Sequence, residues 1–179
     1  FTRDGVAPTT VASLSPAANG DGWHRAGVSV TLTATDNAGG SGVDRIVYSI
    51  NGATAVTVSA ATTTFALAQA SPSVVYTITY RAYDVTGNAE AIKTSTVRID
   101  PTNPAATASL SPAANADGWN NANVTLTVTA TDAGGSGVKQ VVVDGTTTAG
   151  SSGAVTLTAE GTRTISYSAT DVEIGRAHV

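Results

Sequence analysis

The chain has 179 residues, of which 12% are charged, with 9 Lys and Arg against 13 Asp and Glu for a formal net charge of −4. That balance excludes a cationic nucleic-acid groove. No basic amphipathic segment suits a membrane surface, and no apolar run of about 18 residues suits a membrane-spanning helix. The absence of cysteine removes a disulfide framework, a thiolate metal site and a Cys nucleophile.

The predicted elements are strands almost throughout. Residues 1–5 read as the end of a preceding repeat, because Phe1 to Asp4 matches Val97 to Asp100 one period later. Val11 to Leu14 is a first strand. Val28, Val30, Leu32 and Ala34 then alternate with Ser29, Thr31, Thr33 and Thr35, the period-two pattern of a strand with one buried face. Ile46, Tyr48 and Ile50 form a further inward row, followed by Asn51-Gly52, a tight-hairpin pair suited to positive φ. Phe65 to Leu67, the row Ile78, Tyr80 and Ala82, and Ala91 to Ile99 supply more strands. Gly, Asn, Ser and Pro clusters separate them. Asp100-Pro101-Thr102-Asn103-Pro104 is a short linker stiffened by two prolines.

The pattern then starts again. Ala12 to Trp23 reads ASLSPAANGDGW, and Ala108 to Trp119 reads ASLSPAANADGW; from position 12 to position 108 the period is 96 residues. That is too long for a solenoid unit and fits one small sandwich domain. Val124, Leu126, Val128 and Ala130 repeat the apolar row, and Asp144-Gly145 repeats a hairpin signal. The offset is 95 from Val43 to Val138 but 87 from Asp84 to Asp171, so the second copy is eight residues shorter in its middle strands. The organisation read here is a complete repeat over 6–100 and a second over 101–172, truncated before its last strand. Residues 173–179 read as a non-native tail, since Ile174 to Val179 resembles a translated sequencing adapter. Without a last strand, the neighbouring strand of the second repeat is an open edge that invites aggregation. The fold class is all-β: tandem antiparallel β-sandwiches of about seven strands each.

TLTATDNAGGSGV after Trp23, then IVYSINGA and YRAYDVTGNAE, resemble the bacterial Ig-like (Big-type) tandem repeats of surface and secreted proteins, including those labelled OmpL-type β-barrel repeats. The resemblance covers nearly the whole chain. It implies an Ig-like fold, an extracellular setting and a non-catalytic spacer role beside neighbouring repeats of the same chain. The alternative it implies is an adhesion or carbohydrate-binding accessory module of a secreted hydrolase, with a polysaccharide or cell-surface ligand.

The residues offer little for catalysis. His24 lies outside the suspect tail, has Asn120 at its repeated position, and reads as an exposed loop histidine. Aromatics at 5% are too sparse for a glycosidase cleft. Trp23 and Trp119 each follow Asp-Gly and read as plugs of the sandwich, with a sugar-stacking platform as the other reading. The recurring polar residues are aspartates: Asp4, Asp36 and Asp84, answered by Asp100, Asp132 and Asp171. In a sandwich of alternating strands, each set converges at one end. Two readings stand. Carboxylates before Gly, Asn and Ser fix turns by accepting backbone N–H bonds. Clustered with loop oxygens from Asn37, Ser41 and Asn88, they form a Ca²⁺ site of the weak extracellular kind. No EF-hand loop is present.

Overall fold

A computed structural model describes residues 3–173 and 176–178. The chain divides into two compact units, the first formed by Phe1–Ala70 with Val74–Ile99 and the second by Ser71–Ser73 with Asp100–Val179.

The first unit contains β1 (Thr9–Ser15), β2 (Trp23–His24), β3 (Val28–Thr35), β4 (Val43–Ile50), β5 (Val56–Val58), β6 (Thr62–Leu67), β7 (Val74–Asp84) and β8 (Lys93–Ile99). One sheet runs β1-β3-β6 and the other β2-β8-β7-β4-β5. The two-residue β2 pairs parallel with β8, Trp23 opposite Arg98 and His24 opposite Ile99. The alternation in β3 works as period two requires: Val28, Val30, Leu32 and Ala34 are buried and meet Ile46, Ile78, Tyr80 and Ala82 of the other sheet. Val97 and Ile99 of β8 close the same core, and the rings of Tyr48 and Phe65 stack at 4.4 Å.

The second unit contains β9 (Ala105–Ser111), β10 (Val124–Thr131), β11 (Val138–Val143), β12 (Thr146–Ala149), β13 (Ser152–Leu157), β14 (Tyr167–Asp171) and β15 (Arg176–His178). Its sheets run β13-β10-β9 and β12-β11-β14-β15. Leu126, Val128, Ala130, Val141, Val143 and Ala169 form its core. Both units are thus antiparallel β-sandwiches, apart from the short parallel β2–β8 pair. Asn51 and Gly52 have φ of 52° and 72°, and Asp144 and Gly145 have 50° and 77°, the left-handed pairs that a tight hairpin needs.

The termini refine the reading. Arg3 to Gly5 carries no regular structure, and Phe1 and Thr2 lie outside the described residues. Arg176–His178, inside the stretch read as a tail, pairs antiparallel with β14 over Ser168–Thr170. Ile174, Gly175 and Val179 lie outside the described residues.

One correction concerns His24. It is buried, not an exposed loop residue, because β2 draws it against β8. A second concerns the tryptophans. Trp23 is half-buried with the Arg98 guanidinium 6.0 Å from its ring centre, whereas Trp119 is 62% exposed and plugs nothing. Among the described residues, no strand lies beside Trp119 as β8 lies beside Trp23.

Candidate functional site

The three aspartates of each set come together. In the first unit, Asp4 precedes β1, Asp36 follows β3 and Asp84 ends β7. One carboxylate oxygen from each lies within 4.8 Å of the others, and Asp100, Asp132 and Asp171 repeat this in the second unit.

Loop N–H groups explain why the carboxylates sit there. Asp4 Oδ2 accepts the Ser41 N–H at 2.7 Å, and its Oδ1 accepts that of Val6 at 3.1 Å. Asp36 Oδ1 accepts the Asn37 N–H at 2.9 Å, and Oδ2 accepts the Gly42 N–H at 2.7 Å. Asp84 Oδ1 accepts the Asn88 N–H at 2.7 Å and the Thr86 hydroxyl at 3.1 Å, while Oδ2 accepts Asn88 Nδ2 at 2.6 Å. In the second unit, Ser136 donates to Asp100 Oδ2 at 2.6 Å and Gly137 donates to Asp132 Oδ2 at 2.7 Å. The N–H and hydroxyl of Thr102 reach Asp100 Oδ1 at 3.1 and 2.7 Å.

Two glycines make the approach possible. A Cβ on Gly40 or Gly135 would lie less than 3 Å from the carboxylate oxygens of Asp36 or of Asp132 and Asp100, respectively. Gly42 and Gly137 have φ of 87° and 92°, which turns their N–H groups onto Asp36 and Asp132 while their carbonyls accept Val85 and Val172 N–H.

The two triads differ electrostatically. The backbone N–H groups of Ser41 and Val6 hold the Asp4 carboxyl below the ordinary value. Burial pushes Asp84 up, but the side chain and N–H of Asn88 and the Thr86 hydroxyl outweigh it, so Asp84 is also lowered. Burial likewise opposes the bonds from Thr102 and Ser136 to Asp100, and the bonds prevail. Asp132 goes the other way. Burial raises it, the charges of Asp100 and Asp171 add to the rise, and the opposing Gly137 N–H is too little to reverse it.

Three carboxylates per site are hard oxygen donors of the class Ca²⁺ takes, and a carboxylate oxygen has lone-pair room for both an N–H donor and a cation. Asn88 directs its Nδ2 to Asp84 and to the Asp4 carbonyl, so its amide nitrogen acts as a donor to the cluster. The sequence reading missed Glu90. This buried carboxylate accepts the Thr10 N–H at 2.9 Å through Oε1 and the Ala82 N–H at 3.3 Å through Oε2, with Lys93 Nζ at 2.6 Å. It ties β1 of one sheet to β7 of the other. Glu90 follows the Asn88 turn by two residues, and no alternation marks it as inward.

No protein-family model matches the chain, and no curated protein does. Among solved structures, the fibronectin(III)-like modules of Clostridium thermocellum CbhA match with a TM-score of 0.44 and 20% identity, covering 93% of this chain and 89% of that one. The D00-D0 domain of intimin matches with a TM-score of 0.43 and 20% identity, covering 94% and 96%.

Proposed function

We propose that this chain is a non-catalytic run of Ig-like repeats that spaces other parts of a bacterial surface or secreted multidomain protein. One observation carries the reading: the two units repeat the framework and not the outer face. The apolar row of β3 recurs in β10, and the aspartate triad recurs with its Ser and Gly donors. On the outer face, Arg45 and Arg81 cover the Tyr83 ring at 4.1 and 4.9 Å, but the matching positions hold Gln140, Ser168 and Thr170. A ligand platform that served each repeat would be repeated too. The two prolines between Asp100 and Pro104 favour a stiff connection. Stretching the full chain between handles tests the role: two discrete unfolding steps are expected, and smooth extension without steps would overturn it.

Within this reading, the triads are places where a divalent cation stiffens the loop end of each sandwich. The raised Asp132, pushed up by burial and by two neighbouring carboxylates, supports the idea, since a cation relieves that repulsion. Melting the full chain in calcium, magnesium and EDTA tests it. Calcium should raise the melting temperature, and should not do so in Asp36→Asn with Asp132→Asn. Identical melts leave the aspartates as turn-fixing groups alone.

The alternative, a carbohydrate-directed adhesion module, draws on the exposed indole of Trp119. Retention on an insoluble polysaccharide that is lost in a folded Trp119→Ala variant would favour it.

A further inference from the structure

The outer face of the sheet β2-β8-β7-β4-β5 is cationic, although the chain as a whole carries a net charge of −4. Strand alternation puts Arg45, Arg81 and Tyr83 on that face towards one end and Arg98 towards the other. Ser49, Thr77, Thr79, Thr94 and Thr96 stand between them, so the outward positions of β4, β7 and β8 hold arginines and hydroxyls and no carboxylate. From Arg81 to Val75, which stands opposite Arg98, β7 runs about 20 Å at the rise of a strand. The Tyr83 ring holds two guanidiniums, that of Arg45 at 4.1 Å and that of Arg81 at 4.9 Å from its centre. The two arginines differ in one respect. Arg45 finds a carboxylate in its own chain: Asp44, the extra residue of the bulge between Val43 and Arg45, accepts Arg45 Nη1 through Oδ2 at 2.5 Å. Among the described residues, no carboxylate and no hydrogen bond engages the Arg81 side chain. The next carboxylate along β7, Asp84, is buried and held by Asn88 and Thr86. A guanidinium whose face lies on a ring keeps its N–H edge for an acceptor, and Arg45 makes both contacts at once.

We infer that Arg81, steadied by Tyr83, takes a carboxylate from outside the chain, and that the ligand is an acidic polysaccharide lying along β7 towards Arg98. Charge complementarity sets the sign of the ligand, because the face offers cations and no acid of its own beyond Asp44. The Asp44 carboxylate on Arg45 shows the kind of group that fits a guanidinium held on this ring. The hydroxyls between Arg81 and Arg98 suit a sugar chain, which carries hydroxyls between its acidic groups. Nucleic acid calls for a closer row of cations. The ring contact fixes Arg81 before the ligand arrives, so less side-chain freedom is lost on binding. A polymer that reaches Arg98 as well gains by holding both points at once. A neutral polysaccharide has no group for Arg81 and is not expected on this face. The second unit has Gln140, Ser168 and Thr170 at the matching positions, so the site is single and tethers the chain at one repeat. The site goes beyond the spacer role and stands independently of it.

The test titrates the full chain, in EDTA and at low salt, with soluble polygalacturonate and with its fully methyl-esterified, neutral form, and reads binding by calorimetry. Arg81→Ser installs the residue found at position 168, and Tyr83→Thr the one found at position 170. Lys139→Ser removes the same charge at an exposed position of the second unit. The expected result is saturable binding of polygalacturonate and none of the ester, with binding lost as salt rises past about 0.1 M, where screening sets in within about 10 Å. Arg81→Ser should weaken binding about fivefold. Tyr83→Thr should weaken it as well, and Lys139→Ser should leave it unchanged. Melts show whether each variant is folded; should Arg81→Ser not fold, Arg81→Lys takes its place, since it keeps the charge and loses the fork that grips a carboxylate. No binding at low salt would overturn the inference, as would an equal loss in Lys139→Ser. Binding that appears only when calcium replaces EDTA would put the polymer on the aspartate triads through a bridging cation, and equal binding of polyglutamate would make the ligand an acidic polypeptide. Either result would end the assignment.

Discussion

The Ser41 N–H donates to Asp4 Oδ2 over 2.7 Å, although 37 residues separate them in the chain. The bond fixes the segment leading into β1 to the loop between β3 and β4. Ser136 and Asp100 repeat it in the second unit at 2.6 Å. Asp4→Ala removes the acceptor and leaves the Ser41 N–H to water. Asp4→Asn should act in the same direction, because a neutral amide oxygen accepts more weakly than a carboxylate. Circular-dichroism melts should show a lower melting temperature for both variants, with Ala the lower.

Gly135 has no positive φ to explain it, so its smallness answers to space alone. An added methyl would meet the Asp132 and Asp100 carboxylates, both held by loop N–H groups. Gly135→Ala should cost roughly 1–3 kcal/mol, the range for crowding a packed site. Denaturant unfolding measures it. The same substitution at Gly5, where nothing lies nearby, should be close to neutral.

Leu32 is fully buried between the two sheets of the first unit. Leu32→Ala should lose roughly 2–5 kcal/mol by transfer and cavity terms. An unchanged midpoint in urea would show that β3 faces the other way.

Acid should weaken the first unit in two stages. Burial lowers the pKa of His24 from 6.5, and its Nδ1 has no hydrogen-bond partner. The unfolded chain therefore takes up a proton that the folded chain refuses. The stability is full above about pH 6.5 and erodes as pH falls below it. Burial works to raise Glu90, but Lys93 and the Thr10 N–H outweigh it and hold the carboxyl below 4.5. Its contribution is full above 4.5 and is lost as pH falls through the lower folded value. His24→Asn, the residue found at position 120, should abolish the first stage and leave the second. Glu90→Gln should cost roughly 2 kcal/mol at neutral pH and remove its share of the second. Melting temperature against pH, from 8 to 3, checks both signs.

Strands were legible in the sequence wherever one face meets the core and the other meets water. The β3 and β10 rows are of this kind, and so are the Asn51-Gly52 and Asp144-Gly145 turns. The convergence of the aspartates was legible too, because strand direction alone brings the residues flanking β1, β3 and β7 to one end. What was not legible depends on partners distant in the chain. His24 looks like a loop residue until β8 lies beside it, 75 positions away from Ile99 in the sequence. Glu90 looks like a solvated charge until Thr10, Ala82 and Lys93 surround it. Trp119 shares its local string with Trp23, yet its surroundings differ because a strand, not a string, covers the indole. The donor role of Asn88 was hidden because its amide offers both an oxygen and a nitrogen, and only the Asp84 loop decides which one faces inward.

Retention of the full chain on insoluble polysaccharides, with Trp23→Ala and Trp119→Ala variants beside it, tests the spacer role most directly. Far-UV spectra and melts establish that each variant is folded. None of the three is expected to be retained on a neutral polysaccharide above a control protein of similar charge. Specific retention that disappears in a folded tryptophan variant would contradict it and make the chain a carbohydrate-binding module.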